Sequence, residues 1–285
     1  MRISIDYATT YSYERQARYV IQALRLTPQS NDGQAVRWWN IDTDVDARLR
    51  QSEDAFGNVV HTLYTERPTR ALTVRVSGEV ETTDTGGVLS GQNERLSPIV
   101  FLRETALTRH DKLIQVFASE FAAHPPLERM HRLMAGIHGS VAFEIGVTTP
   151  TNTAAEVLKL GRGVCQDHAH LFVTAARCMG VPARYVSGHL LRSDRDDQDA
   201  AHAWAEAWIE DLGWVGFDAA NGISPTASYV RVATGLDYLG AAPVRGANYG
   251  GSGERMSVRL SVRGPGQQQS QTQSGQKQSQ VQGQD

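Results

Sequence analysis

Hydrophobic positions in the N-terminal third of the chain alternate with polar ones, which is the period of a β-strand with one buried face. Together with the β-branched and aromatic residues, the alternation predicts strands over 2–13, 18–27, 36–41, 59–64 and 72–80. A turn sequence, Asp54-Ala-Phe-Gly57-Asn58, precedes the fourth of them. Short strands joined by turns are typical of a β-sandwich or small barrel. Residues 1–84 are therefore predicted to form an all-β domain.

The second half of the chain changes to the period of helices. Helices are predicted over 111–122, 127–141, 154–160 and 165–179, and strands over 183–191, 202–209 and 214–217. Helices followed by antiparallel strands indicate the α+β class. We predict a core domain over 111–260 and a linker over 85–110. The last segment, 261–285, is rich in Gln, Ser and Gly and is predicted to be a disordered tail.

Composition narrows the classes of function. The 285 residues carry a net charge of −3 and the pI is near 6.3, so charge gives no reason to expect nucleic-acid binding. There is no apolar run long enough for a membrane span, and the N-terminus lacks the apolar stretch of a secretory signal. Two cysteines, Cys165 and Cys178, are too few for a disulfide framework and fit a reducing compartment. We expect a soluble, cytoplasmic protein whose oligomeric state the sequence leaves open.

Three reactive side chains stand at the ends of predicted elements. Cys165 begins a helix, where unpaired N–H groups and partial positive charge favour a thiolate and can receive an oxyanion. His202 begins a strand, and Asp218 directly follows the next one. A thiol nucleophile needs a base, and the base needs an acceptor that fixes its tautomer. We therefore predict that Cys165, His202 and Asp218 are the nucleophile, the base and the orienting carboxylate.

The pairing of His202 with Asp218 depends on the hairpin between their strands. A three-residue loop over 210–212 puts Asp218 opposite Trp204, on the same face as His202 and diagonal to it. A two-residue turn would put Asp218 on the other face. The sequence permits the first register without requiring it.

Other functions can be read from the same residues. Cys165 considered alone could be a small buried residue, as free cysteines often are. His168 and His170 lie near it, but they point to different sides of a helix, and no CxxC or HExxH motif accompanies them. We therefore expect neither a metal nor a cofactor. Cys178 lies among apolar residues and is expected only to pack.

Four segments resemble a known family: Gly161-Arg-Gly-Val-Cys165-Gln-Asp-His-Ala-His170, Gly180-Val-Pro-Ala-Arg184-Tyr-Val-Ser-Gly188, His202-Ala-Trp-Ala-Glu206 and Gly213-Trp-Val-Gly-Phe-Asp218. They are similar to the transglutaminase-like superfamily, and more narrowly to the bacterial transglutaminase-like cysteine proteases. The N-terminal strands resemble the β-domain that precedes the core in that group, so the similarity covers about residues 1–240. The resemblance implies a papain-like core of helices packed on an antiparallel sheet. It also implies that Cys165 is the nucleophile, His202 the base and Asp218 the orienting residue.

The chain departs from the family at one turn. The family usually continues Asp-Pro-Thr-Asn, whereas this chain has Asp218-Ala-Ala-Asn221, so no proline stiffens the turn. We expect hydrolysis of a peptide or isopeptide-like amide through a thioester, with a peptide or protein as substrate. The alternatives are transamidation or deamidation of protein glutamine and, in another class, a non-catalytic peptide-binding module. Trp214 is expected to line the cleft. The roles of the β-domain and of the tail are left open.

Overall fold

A computed structural model of the chain describes residues 1–92, 94–198 and 200–265. The predicted tail lies almost entirely outside these residues. The N-terminal strands are β1 Arg2–Ala17, β2 Tyr19–Thr27, β3 Gln34–Thr43, β4 Ala47–Glu53, β5 Val59–Thr65 and β6 Thr69–Thr82. The later strands are β7 Val88–Leu89, β8 Ala142–Phe143, β9 Arg162–Gly163, β10 Ala183–Leu190, β11 Asp197–Gln198, β12 His202–Ile209, β13 Gly213–Phe217, β14 Tyr229–Gly235, β15 Val244–Tyr249 and β16 Arg255–Arg263. The helices are α1 Lys112–Ser119, α2 Pro126–Ser140, α3 Ala154–Leu160, α4 Cys165–Cys178 and α5 Tyr238–Ala241, with a 3-10 helix at Pro98–Leu102.

The N-terminal strands build two antiparallel sheets that share one apolar core. The strand order is β11-β16-β1-β6-β3 in one sheet and β15-β2-β5-β4 in the other. Every second residue of β1 from Ile3 to Tyr13 is buried, and the apolar ones pack with residues of the second sheet such as Leu24 and Leu63. The predicted sandwich-like domain is confirmed. The sequence analysis missed β4 because its residues, among them Arg48, are almost all polar.

The last two strands correct the predicted domain boundaries. β15 pairs with β2 and β16 pairs with β1, so residues 244–263 belong to the sheets of the N-terminal domain. Leu260 and Val262 of β16 are buried, and both join the core of the β-domain. The predicted core therefore extended too far, to residue 260, and the predicted tail began too early, at 261. Within the predicted linker, β7 pairs with β13.

The core domain consists of an antiparallel sheet with helices on one face. Its strand order is β14-β10-β12-β13-β7, and α4 packs on β10 and β12 while α1, α2 and α3 pack around α4. Small side chains on β12, such as Ala205 and Ala207, let α4 approach the sheet closely and pack Phe172 against it. The α+β class is confirmed. In the described part of the chain, no helix has the length and apolar character needed to cross a bilayer.

The hairpin between β12 and β13 has the three-residue loop that the candidate site requires. Ile209 pairs with Gly213, and the ladder continues to Ala205 opposite Phe217. The loop is closed by two residues with positive φ, Asp211 at 69° and Gly213 at 81°. The register therefore brings Asp218 to the end of β12 at which His202 lies.

Candidate active site

The position of Cys165 is fixed by the turn that starts α4. The carboxylate of Asp167 accepts a hydrogen bond from Val164 N at 2.8 Å and another from Thr148 Oγ1 at 2.6 Å, so the side chain caps its own helix. Gly163 leaves room for this cap, since a Cβ there would lie 2.7 Å from the Asp167 carboxylate. Cys165, the first residue of the helix, remains partly exposed.

The first turn of α4 supplies donors beside the thiol. The N–H groups of Asp167 and His168 bond to Val164 O at 2.9 and 3.1 Å. The first N–H groups of a helix have no partner within the helix. Those of Cys165 and Gln166 can therefore donate to an oxygen atom bound at the sulfur, where the helix dipole also favours negative charge.

His202 connects the thiol with a carboxylate. Its Nε2 donates to Asp218 Oδ2 at 2.6 Å, and the Cys165 side chain is near enough to the ring to help raise the pKa of His202. Because Nε2 is taken by Asp218, Nδ1 is the nitrogen left for the thiol. The rings of Trp204 and Tyr229 lie 6.2 and 5.9 Å from the imidazole and limit its rotation. The structure therefore brings together all three residues that the sequence analysis selected.

Asp218 is held by five hydrogen bonds. Besides His202, Oδ2 accepts from Asn221 Nδ2 and from the Tyr229 hydroxyl, both at 2.7 Å. Oδ1 accepts from the backbone N–H groups of Ala220 at 3.0 Å and Asn221 at 3.2 Å. The turn after Asp218 is thus fixed by the carboxylate itself, and the missing proline does not loosen it.

The charges of the three residues support one another. Burial lowers the pKa of His202, but hydrogen bonds and charges of Asp218 and Cys165 outweigh it and raise the pKa to about 10. Burial raises the pKa of Asp218, while the hydrogen bond and charge of His202, with smaller contributions from Tyr229 and Asn221, bring it below its ordinary value. The hydrogen bond and charge of Asp218 therefore favour the protonated form of His202, the form that can give a proton to a leaving group.

Comparison with known proteins fits this geometry. The sequence matches the transglutaminase-like superfamily over residues 115–219, a range that contains Cys165, His202 and Asp218. It matches the bacterial transglutaminase-like N-terminal region over residues 3–81. An uncharacterized protein of Mycobacterium leprae is 31% identical over 271 residues, which cover 88% of this chain and 94% of that protein. The chain belongs to the transglutaminase-like superfamily.

Two further relatives extend the comparison over the whole transglutaminase-like chain. An uncharacterized protein of Mycobacterium tuberculosis is 27% identical over 288 residues, covering 92% of this chain and 91% of that protein. The crystal structure of a candidate cysteine protease from Cytophaga hutchinsonii superimposes with a TM-score of 0.75. Its sequence is 20% identical, and the match covers 92% of this chain and 90% of that one. The predicted family and fold are confirmed.

The other cysteine and the neighbouring histidines of this transglutaminase-like chain are engaged in packing. His168 is buried, with its ring nitrogens 2.9 Å from two backbone carbonyls, and His170 Nε2 accepts from Tyr238 N at 3.0 Å. Burial lowers the pKa of His170 to about 4. Burial, with smaller effects of two acidic residues, raises the pKa of Cys178 to about 11. In the described ranges no three His, Cys, Asp or Glu side chains are grouped as metal ligands.

Trp214 does not line the cleft. It is 2% exposed, with the Arg184 guanidinium 3.9 Å above its ring and Phe101 edge-on at 5.0 Å. Burying the arginine requires an aromatic face and acidic partners, and Trp214 supplies the face. The sequence analysis also missed two residues that hold Asp218. Asn221 could have been found from the Asp-Pro-Thr-Asn pattern, whereas no pattern marked Tyr229.

Proposed function

We propose that the protein is an acyl-transfer enzyme with a cysteine nucleophile, and that it hydrolyses peptide or isopeptide-like amides. The observation that carries the proposal is the placement of His202 between the Cys165 sulfur and the Asp218 carboxylate, at the N-terminus of α4. A binding module would have no need of a buried carboxylate held by five hydrogen bonds behind a partly exposed thiol.

The proposed reaction has two stages. The Cys165 thiolate attacks the amide carbonyl carbon, and the first-turn N–H groups of α4 receive the oxyanion. The His202 imidazolium then protonates the leaving nitrogen, the C–N bond breaks, and a thioester and an amine result. In the second stage His202 takes a proton from water, whose oxygen attacks the thioester. The C–S bond then breaks, the carboxylic acid leaves, and the Cys165 thiolate and the His202 imidazolium are restored.

Hydrolysis is favoured over transamidation by the surroundings of the site. An enzyme that transfers an acyl group to an amine must protect the thioester from water. Trp204 and Trp214 do not serve this purpose, since each is 2% exposed. We also propose a reducing, cytoplasmic location, because Cys165 and Cys178 are both free and the reaction requires an unoxidised thiol.

Labelling of the two cysteines tests the nucleophile. The intact protein is treated with a thiol-directed epoxide probe and the labelled peptide is mapped by mass spectrometry. We expect rapid labelling of Cys165, loss of it in His202→Ala, and slow labelling of Cys178, which serves as an internal control because burial raises the pKa of its thiol. Equal labelling of both cysteines in both proteins would contradict the proposal.

A second experiment determines the fate of the thioester. The enzyme is incubated with peptide amides in ¹⁸O-water that contains a fluorescent primary amine. Hydrolysis puts ¹⁸O into the acid product, whereas transamidation attaches the amine. The Gln residues of segment 266–285, which lies outside the described residues, are tested for amine incorporation in the same samples. Binding of peptides without either product, and without a Cys165 thioester, would support the binding module instead.

A further inference from the structure

We propose that two amide side chains of the β-domain, Gln34 and Asn58, are positioning residues for the active site, because they hold the strand that carries Tyr229. The inference rests on the proposed function and assigns a role to the N-terminal domain in the same reaction.

Strand β14 lies at the edge of the core sheet, where unpaired backbone groups would otherwise face another domain. Gln34 Nε2 donates to Arg231 O at 2.9 Å, and Arg231 N donates to Gln34 Oε1 at 2.8 Å. Asn58 Nδ2 donates to Thr234 O at 2.8 Å, and Thr234 N donates to Asn58 Oδ1 at 2.8 Å. Each amide thus takes the place of a neighbouring strand at one residue of β14.

Both amides are fixed within the β-domain. Gln34 is 5% exposed, and its Nε2 also donates to Gln29 O at 2.8 Å. Asn58 is 4% exposed and belongs to the turn found in the sequence, where its N–H and its Nδ2 donate to the Asp54 carboxylate at 3.1 and 3.0 Å. Asp54 in turn pairs with Arg25 Nε at 2.9 Å. The two amides can therefore transmit the position of the β-domain to β14.

The strand they hold begins at the active site. Tyr229, the first residue of β14, stands two residues before Arg231 and donates its hydroxyl to Asp218 Oδ2 at 2.7 Å. Just before it, Thr82 of the β-domain donates to Ala227 O. A displacement of β14 by a fraction of an ångström would lengthen the bond to Asp218 and release the tilted contact of the Tyr229 ring with His202.

Three single variants test the link. Tyr229→Phe removes one hydrogen bond to a charged acceptor, and we expect kcat to fall about tenfold with little change in KM. Gln34→Met keeps the length of the side chain but removes both bonds to Arg231, and we expect a fall of similar size. Gln22→Met is the matched control, since Gln22 is a buried amide of the same domain, 4% exposed, without a hydrogen bond to β14 among the described residues. It should leave kcat unchanged.

The double variant of Gln34→Met and Tyr229→Phe separates positioning from general stability. If Gln34 acts through Tyr229, the two losses of kcat overlap. The kcat of the double variant is then within about twofold of that of the less active single variant. The basic limb of the pH profile should move to higher pH in both single variants, because an Asp218 carboxylate with one donor fewer is a stronger acceptor for the His202 imidazolium. Each protein is assayed at a temperature where thermal unfolding shows it to be folded. Multiplicative losses, or a Gln34→Met protein that behaves like Gln22→Met, would overturn the inference.

The rate of Cys165 alkylation by iodoacetamide is measured on the same proteins. This reaction needs no amide substrate, so it reports on the geometry of His202 and Asp218 even if the wild-type protein turns nothing over. Absence of turnover with a variant-dependent alkylation profile would therefore contradict the proposed function and support the positioning role. Turnover by the wild type, together with an alkylation profile that Gln34→Met leaves unchanged, would support the proposed function and contradict the positioning role.

Discussion

Replacing Glu206 by Gln should destabilise the fold in a pH-dependent way. Glu206 lies on β12, is fully enclosed, and receives Arg184 Nε at 2.6 Å and Arg231 Nε at 2.7 Å. Arg184 has a second acidic partner, Glu94, at 2.9 Å, whereas no further ion pair holds Arg231 in the described part of the chain. The substitution keeps the shape of the side chain but leaves the mostly buried Arg231 cation without its counter-charge.

The magnitude follows from the charge of Glu206. Burial raises the pKa of the carboxyl, but Arg231 and Arg184 outweigh burial and lower it from 4.5 to about 2. At roughly 1.4 kcal/mol per pH unit, this difference corresponds to about 3 kcal/mol of stability. Because the pKa is lower in the folded protein, the stabilisation is complete above pH 4.5 and is lost as the pH falls toward 2. The free energy of unfolding of Glu206→Gln should therefore be about 3 kcal/mol lower than that of the wild type at neutral pH.

Urea unfolding followed by tryptophan fluorescence measures the effect at pH 7 and at pH 3. The difference between wild type and Glu206→Gln should be large at pH 7 and smaller at pH 3. Glu128→Gln is the control, since Glu128 forms an exposed ion pair with Arg132 on α2. The loss of this pair should not change the free energy of unfolding measurably. A difference of less than about 1 kcal/mol at pH 7, or an equal difference at both pH values, would refute the reasoning.

Three further predictions concern the site. Asp218→Asn should lower kcat about 100-fold or more, because the amide cannot stabilise the His202 imidazolium. Steady-state assays check this, and a variant with full activity would contradict the role of Asp218 as the orienting carboxylate. The rate of Cys165 alkylation should remain high up to about pH 9 and should change only as the pH approaches 10, where His202 loses its proton. Cys178 should react only toward pH 11, and timed iodoacetamide labelling distinguishes the two cysteines. Trp214→Ala should lower the midpoint of thermal unfolding but leave KM unchanged, because the indole is buried. A raised KM would indicate that Trp214 lines the cleft.

The sequence identified the elements whose patterns are local. All four predicted helices lie within three residues of their observed bounds, and the strand over 202–209 has the predicted limits. The candidate site could be predicted because its residues stand at element ends that glycines or turn residues mark. The three-residue loop that joins His202 to Asp218 is confirmed by the pairing of Ile209 with Gly213, whereas the sequence permitted this register without requiring it.

The contacts that the sequence did not reveal are long-range. β16 reads as a short alternating strand, but nothing local shows that its partner is β1, at the other end of the chain. Trp214 was assigned to the cleft because an aromatic residue near a site fits a cleft wall as well as a core, and only the buried Arg184 decides between them. Tyr229 shows its role only when β14 is placed beside Asp218.

The pairing of β1 with β16 has a consequence for synthesis on the ribosome. Ser4 lies opposite Arg263, so the core domain between them must be made before this pair of strands can close. At ordinary translation rates, the wait is on the order of tens of seconds. During this interval β1 can pair with β6 but presents its other edge without a partner. Closure of that edge therefore follows the synthesis of the core domain, and a nascent chain that stops before β16 carries an open strand on which another copy can pair.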